Sequence, residues 1–115
     1  MIYIDILLRM AEVPRLSHTA ALILHAIAVG YRYGLSVMES TGLPSGTVYP
    51  ALRRLEADGL IKGQWESQAI ADKEQRPPRK YYKVTAGARG ALEASRSRYP
   101  LLAALSAPVN EKERV

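Results

Sequence analysis

Five basic residues, Arg76, Arg79, Lys80, Lys83 and Arg89, occupy one stretch with no acid between them, and Arg53 and Arg54 sit side by side upstream. Cations at that density suit a polyanion: charge attracts phosphates, and guanidinium donors match the edge of guanine. Nothing else in the sequence offers chemistry of comparable coherence. Cysteine is absent, which removes thiol nucleophiles, disulfides and thiolate metal sites. His25 has no second histidine or carboxylate at ligand spacing and reads as a packed helix residue. Ser17 and His18 are not a nucleophile and its base, because sequence neighbours on a helix do not face each other. With no phosphate-binding glycine loop and no acid pair set for a cleft, an enzyme is disfavoured, and no metal or cofactor is implied.

The position of the charge says more than its total of +5. Residues 1–41 hold three bases and three acids, whereas residues 42–89 hold nine bases and five acids, an excess of four. The 115 residues, 48% hydrophobic and 23% charged, describe one small soluble domain. The longest uncharged run, Leu16 to Tyr31, has 16 residues and falls short of the roughly 20 that span a bilayer. Asp5 within the apolar start, and no basic stretch before it, speak against a signal peptide, so a cytoplasmic location is expected.

Periodicity supplies the elements that must carry these cations. Ile2, Tyr3, Ile6, Leu7 and Met10 recur at helical spacing, with Pro14 ending the segment. Ser17 is a plausible cap for a second helix, apolar nearly all round and therefore central, that runs to Gly30. After a turn at Tyr31–Gly34, a brief helix stops at Gly42. Ser45 or Thr47 can cap the next helix, with Pro50 near its first turn, and Asp58–Gly59 ends it. Val48, Leu52 and Leu55 point inward there, leaving Tyr49, Arg53, Arg54 and Glu56 outward. Leu60–Glu66 and Arg79–Val84 read as the strands of a hairpin, joined by a long polar loop, Ser67 to Pro78, expected to be mobile at its tip. Thr85 caps a last helix with Ala88, Leu92, Tyr99 and Leu102 at helical spacing, which Pro100 must kink or interrupt. The fold expected is mainly α with a small β-hairpin wing: a winged helix-turn-helix over 1–85, a C-terminal dimerisation helix over 86–106 and a flexible tail over 107–115.

The run from Gly46 to Glu56 (Gly-Thr-Val-Tyr-Pro-Ala-Leu-Arg-Arg-Leu-Glu), then Gly59-Leu60-Ile61, Arg79-Lys80-Tyr81-Tyr82, and Thr85 with Gly87, resembles the signature of the PadR family of bacterial winged-helix transcriptional regulators. The resemblance covers about residues 20 to 95 and rests on several spaced elements together. It implies a homodimeric repressor that holds a pseudo-palindromic operator, with the helix of residues 46–58 in the major groove, the wing along the backbone and a C-terminal helix making the dimer. The chain is similar to the short subfamily, which has a single such helix. Pro100 in that helix, and Asp72 and Glu74 in the wing loop, depart from the family's pattern.

Ser45, Thr47, Tyr49, Arg53, Arg54, Arg76, Arg79 and Lys80 are the candidate DNA contacts. Arg53 or Arg54 can donate to guanine or to phosphate, and the Tyr49 hydroxyl to phosphate, with packing of Tyr49 on the preceding helix as its alternative role. Successive strand residues point to opposite faces, so only one of Arg79 and Lys80 easily faces a duplex. Tyr81 and Tyr82 read as core. Trp65 reads as packed under the wing, with stacking on a flat effector at a dimer cleft as the alternative. Ile2, Ile6, Met10, Leu92, Tyr99 and Leu102 are apolar residues left over once the core is filled, and are expected to form a two-fold dimer seam. The partners are therefore double-stranded DNA and a second copy, with a small aromatic effector as a further candidate and no membrane. The rival is a winged helix that docks proteins without binding DNA, which would have no use for the acid-free basic run.

Overall fold

In the computed structural model of the chain, residues 15–108 are described. The N-terminal helix expected from the sequence, with Ile2, Ile6 and Met10, falls outside the described residues, as do the residues from 109 on. Helix α1, His18–Val29, is capped by Ser17, whose hydroxyl accepts the Ala20 N–H at 3.1 Å. Ala21, Ile23, Leu24, Ala26 and Ile27 are buried along it, because helices and the sheet cover nearly all its faces. His25 is buried too, and neither ring nitrogen makes a hydrogen bond among the described residues. The carbonyls of Leu102 and Leu105 come near enough to favour its protonated form without completing one.

Helix α2, Gly34–Thr41, begins where the Ser36 hydroxyl donates to the Tyr33 carbonyl at 2.8 Å and accepts the Tyr33 N–H at 3.3 Å. Gly42 closes it. Helix α3, Ser45–Ala57, follows at once, and Val48, Leu52 and Leu55 are buried against α1 and α2 as the pattern predicts. Its start differs from expectation. Pro44 holds the cap position, its carbonyl accepting the N–H groups of Thr47 and Val48 at 3.0 Å each, so neither Ser45 nor Thr47 caps the helix. Pro50 consequently falls in the second turn, where its missing N–H costs one bond on the exposed side.

Strands β1, Ile61–Trp65, and β2, Lys80–Val84, pair antiparallel, with Ile61 opposite Val84 and Trp65 opposite Lys80. The Tyr31–Gly34 turn does more than turn: the Arg32 carbonyl accepts the Tyr82 N–H at 2.7 Å and Tyr33 bridges Tyr81, adding a third rung beside β2. The connection expected as a mobile polar loop contains a short helix, α4, Gln68–Lys73. Ser67 caps it, accepting the Ile70 N–H at 3.2 Å, and buried Ala71 anchors it.

The segment expected as one dimerisation helix is in three pieces: a 3-10 turn at Ala86–Ala88, α5 at Arg89–Arg98 and a second 3-10 turn at Pro100–Ala104. Pro100 interrupts the helix, as its lack of an N–H requires. The chain then folds back, and Leu102, 2% exposed, is buried in the same protomer; Leu92, 9% exposed, joins the main core. Tyr99 is half-buried, donates its hydroxyl to the Leu16 carbonyl at 2.9 Å and meets the His18 ring edge-on at 4.9 Å. Leu92, Tyr99 and Leu102 are therefore not left over outside the core. Helical spacing marks apolar positions without saying which molecule covers them, and here the protomer covers its own.

Candidate nucleic-acid interface

Helix α3 turns Gly46, Tyr49, Pro50 and Arg53 to solvent. Arg54 is exposed as well, but one residue on is about 100° round the helix, so the two guanidiniums diverge. Arg53 borders a cleft beside the sheet, whereas Arg54 borders a second one, with Thr47, Arg15 and Asp58, at the start of α1. Neither arginine has a carboxylate within salt-bridge distance among the described residues. Tyr49 lies close over the start of α2: a Cβ at Gly34 would come within 2.5 Å of its ring. Glycine at 34 makes that approach possible, and Tyr49 as a whole is still 43% exposed. Both roles considered for Tyr49 are thus compatible with its position.

An acid fixes the wing to this helix. Glu56 of α3 accepts the Gly63 N–H of β1 and the Lys80 ammonium of β2, each at 2.9 Å. The Lys80 bond, with the Gly63 N–H second, holds the Glu56 carboxyl below its ordinary range, and Lys80 is raised in return. Any side chain at 63 would meet Lys80 at 2.4 Å and Glu56 at 2.9 Å, so glycine there is a condition of the latch. At the outer end of the ribbon, Glu66 accepts from both terminal nitrogens of the Arg76 guanidinium and takes the Arg79 N–H at 3.0 Å. Its side chain is only 7% exposed, and the Arg76 bond is the chief reason its carboxyl titrates below the usual value.

Arg76 and Lys80, expected as free wing cations, are therefore ion-paired within the protein. The acid-free stretch of sequence receives its acids from outside that stretch. The Arg79 guanidinium has no carboxylate within salt-bridge distance among the described residues and lies over the Tyr33 ring at 4.2 Å. Lys62 and Lys83 are exposed and directly opposite one another, on the ribbon face away from buried Ile61 and Tyr82. Tyr82 is core, as predicted, and Tyr81 meets Tyr33 edge-on at 5.6 Å. Trp65 departs from expectation: it is 64% exposed. Alternation does put it on the same face as Ile61, but the ribbon outruns the core there. The cleft between α3 and the ribbon, about 620 Å³, is bordered by Tyr33, Tyr49, Trp65, Arg53, Arg79 and the Pro77–Pro78 corner.

A family model described as the transcriptional regulator PadR-like family matches residues 23–94, more than half of the chain. The chain belongs to the PadR-like family of transcriptional regulators. Among solved structures, a PadR family regulator from Clostridium difficile R20291 is similar at 24% identity and TM-score 0.62, over 76% of this chain and 93% of that one. A PadR family regulator from Eggerthella lenta DSM 2243 is similar at 25% identity and TM-score 0.55, over 90% and 91%. A PadR-like regulator from Bacillus cereus follows at 24% and 0.56, over 74% and 84%. Comparison with curated proteins returns no match. These likenesses establish the fold, helices with a two-stranded wing, and the family is one of transcriptional regulators and not of enzymes.

In this PadR-like chain, Tyr49, Arg53 and Arg79 meet at one cleft, Thr47 and Arg54 lie on the other flank of α3, and Ser45 is exposed at its start. Sequence reasoning missed Glu56, Gly63 and Glu66 as parts of the site. The available signal was an acid outward on an otherwise basic helix, and a glycine inside a strand pattern, which often marks a close approach. No helix among the described residues is long and apolar enough to cross a membrane, and no group of three metal-ligating side chains occurs among them.

Proposed function

We propose that this PadR-like regulator is a sequence-specific repressor that binds a pseudo-palindromic operator as a homodimer. Helix α3 enters the major groove, and Ser45, Thr47, Tyr49, Arg53, Arg54 and Arg79 make the contacts. Arg76 and Lys80 act by holding the wing in place. The observation that carries the reading is the pair Arg53 and Arg54, exposed and without a salt bridge among the described residues, on a helix that Glu56 ties to the wing. Residues 1–85 form the DNA-binding unit, working in the cytoplasm, and the dimer sets two copies of α3 about one helical turn, roughly 34 Å, apart. Because Leu92 and Leu102 are used within the protomer, the seam draws instead on exposed apolar side chains such as Leu101. A small aromatic effector releases the operator.

Electrophoretic retardation of a random duplex tests the core of this reading. Two or three phosphate contacts per subunit, or four to six in a dimer, give a log–log salt slope of about −4 to −5. Binding that does not change between low and moderate salt, or no retardation at low salt, overturns it.

A further inference from the structure

Among the described residues, His25 alone buries side-chain polar atoms that make no hydrogen bond, and both of its ring nitrogens are of that kind. What covers it is a single layer of chain. After Tyr99 the backbone turns back through Pro100–Ala104 and lies over this part of α1, bringing the carbonyls of Leu102 and Leu105 up to the ring. Few bonds hold that cover down. The Tyr31 hydroxyl donates to the Ser106 carbonyl at one end and the Tyr99 hydroxyl to the Leu16 carbonyl at the other, each at 2.9 Å. The Leu102 and Leu105 N–H groups bond only within the segment, to Tyr99 and Leu102 at 3.0 and 3.1 Å. The charges around the ring are of one sign. Arg96 of α5 acts on it, while Arg98 of the same helix turns to the Tyr99 hydroxyl at 3.0 Å. On α1 the other titratable group, His18, meets Tyr99 edge-on, and residues 99–108 contain no acid, lysine or arginine. No charge from α2, α3 or β2, which also pack on α1, acts on the ring among the described residues. An imidazolium formed here would therefore gain no carboxylate, lose its water and face a guanidinium.

We propose that residues 99–108 form a strap that opens off α1 when His25 takes up a proton and closes when the proton leaves, the winged helix staying folded throughout. Opening gives both ring nitrogens water and breaks little besides the Leu102 seat and the two tyrosine bonds, whereas the β1–β2 pairing and the Glu56 latch lie outside the strap. The direction follows from linkage. Burial first, and Arg96 second, hold the closed ring below its ordinary 6.5, so the open form binds the proton more tightly. Its population rises as pH falls below 6.5, by at most about tenfold per unit, until the buried ring itself titrates. The C-terminal segment is thus hidden at neutral pH and presented to solvent in mild acid.

Amide hydrogen exchange on the whole protein tests this, with each rate divided by the intrinsic rate at the same pH to give an opening constant. The Leu102 and Leu105 amides are expected to open at least about tenfold more often than the Tyr82 amide, which donates to Arg32 beside the sheet. Their opening should rise about three- to tenfold between roughly pH 7.5 and 5.5. His25→Gln removes that rise and keeps the strap opening ahead of Tyr82. Should this variant fail to fold, His25→Leu, which fills the site without a titrating atom, takes its place. Opening constants equal to that of Tyr82 mean that the strap leaves only when the whole fold does, and overturn the proposal. So does a flat profile in the parent protein, or the parent's rise persisting once His25 is replaced.

Discussion

Glu56 Oε1 and Lys80 Nζ lie 2.9 Å apart, joining the exposed helix of a basic protein to its wing through the only carboxylate among the described residues that bridges the two. A negative charge beside a DNA face opposes binding by Coulomb's law, so its presence has to be justified by geometry. Glu56→Ala removes that charge but also frees the Gly63 N–H and the Lys80 ammonium. If the latch sets the wing's angle, duplex affinity falls by about three- to tenfold, the worth of a hydrogen bond or two, and Glu56→Gln recovers part of it by keeping an acceptor. Tighter binding in Glu56→Ala would mean that charge outweighs placement.

Arg53 and Arg54 diverge, so their losses should differ. Arg53→Ala is expected to cost roughly 1–3 kcal/mol on operator DNA and less on random DNA, as befits base contact, while Arg54→Ala weakens both about equally. Titrating the two variants against both duplexes checks this, and no loss in either refutes the placement of α3.

Lys62 and Lys83 supply the opposite control. They face each other across the ribbon, on the side away from α3, so Lys83→Ala should leave the salt slope of DNA binding unchanged. It should stabilise the fold by a few tenths of a kcal/mol, because like charges directly opposite on paired strands repel. A slope reduced by about one would show that bulk charge, not position, governs binding.

Much of this was legible in the sequence, and the exceptions share a cause. The Ser17 cap, the inward Val48, Leu52 and Leu55, and the strand pair follow from local preference and periodicity, which act over a few residues. Ion pairing does not: Lys80 meets an acid 24 residues away and Arg76 one 10 away, so counting charges along the chain overstated the free cations. Alternation gives the face of Trp65 but not where the core beneath it stops. The same limit applies to Leu92, whose spacing fits a dimer seam and a protomer core equally well.

Leu92→Asp is therefore expected to unfold the protomer instead of yielding a folded monomer, since a lone charge buried in the core costs several kcal/mol. Leu101→Asp, on a side chain 83% exposed, should leave the melting temperature unchanged and shift mass towards monomer if the seam passes there. Light scattering and thermal melts on both variants separate core from interface.

Acid should act in two stages. His25 titrates below its ordinary 6.5, through burial first and Arg96 second, so the folded form stays neutral while the unfolded chain takes up a proton, and stability falls as pH drops below 6.5. Glu56 and Glu66 titrate below the ordinary 4.5 when folded, so their contribution is present above that pH and is lost as pH falls through the lowered values. His25→Leu should abolish the first stage, keep the second and add about 1 kcal/mol at neutral pH, since two unbonded buried nitrogens disappear. A variant that loses stability between pH 6.5 and 4.5 as the parent does would refute the assignment.

The fold-back after Tyr99 also bears on how this chain can be shortened. The family match ends at residue 94, yet Leu102 is sealed inside the protomer, Leu105 packs on the core and the Tyr31 hydroxyl reaches forward to the Ser106 carbonyl at 2.9 Å. A fragment cut at residue 94 would lose its own lid over His25 and leave a leucine-sized hole, a defect of about 2–5 kcal/mol in a domain with little to spare. The segment matched by the family model is thus shorter than the one this protomer packs together, which runs on through Leu102 and Leu105 to Ser106.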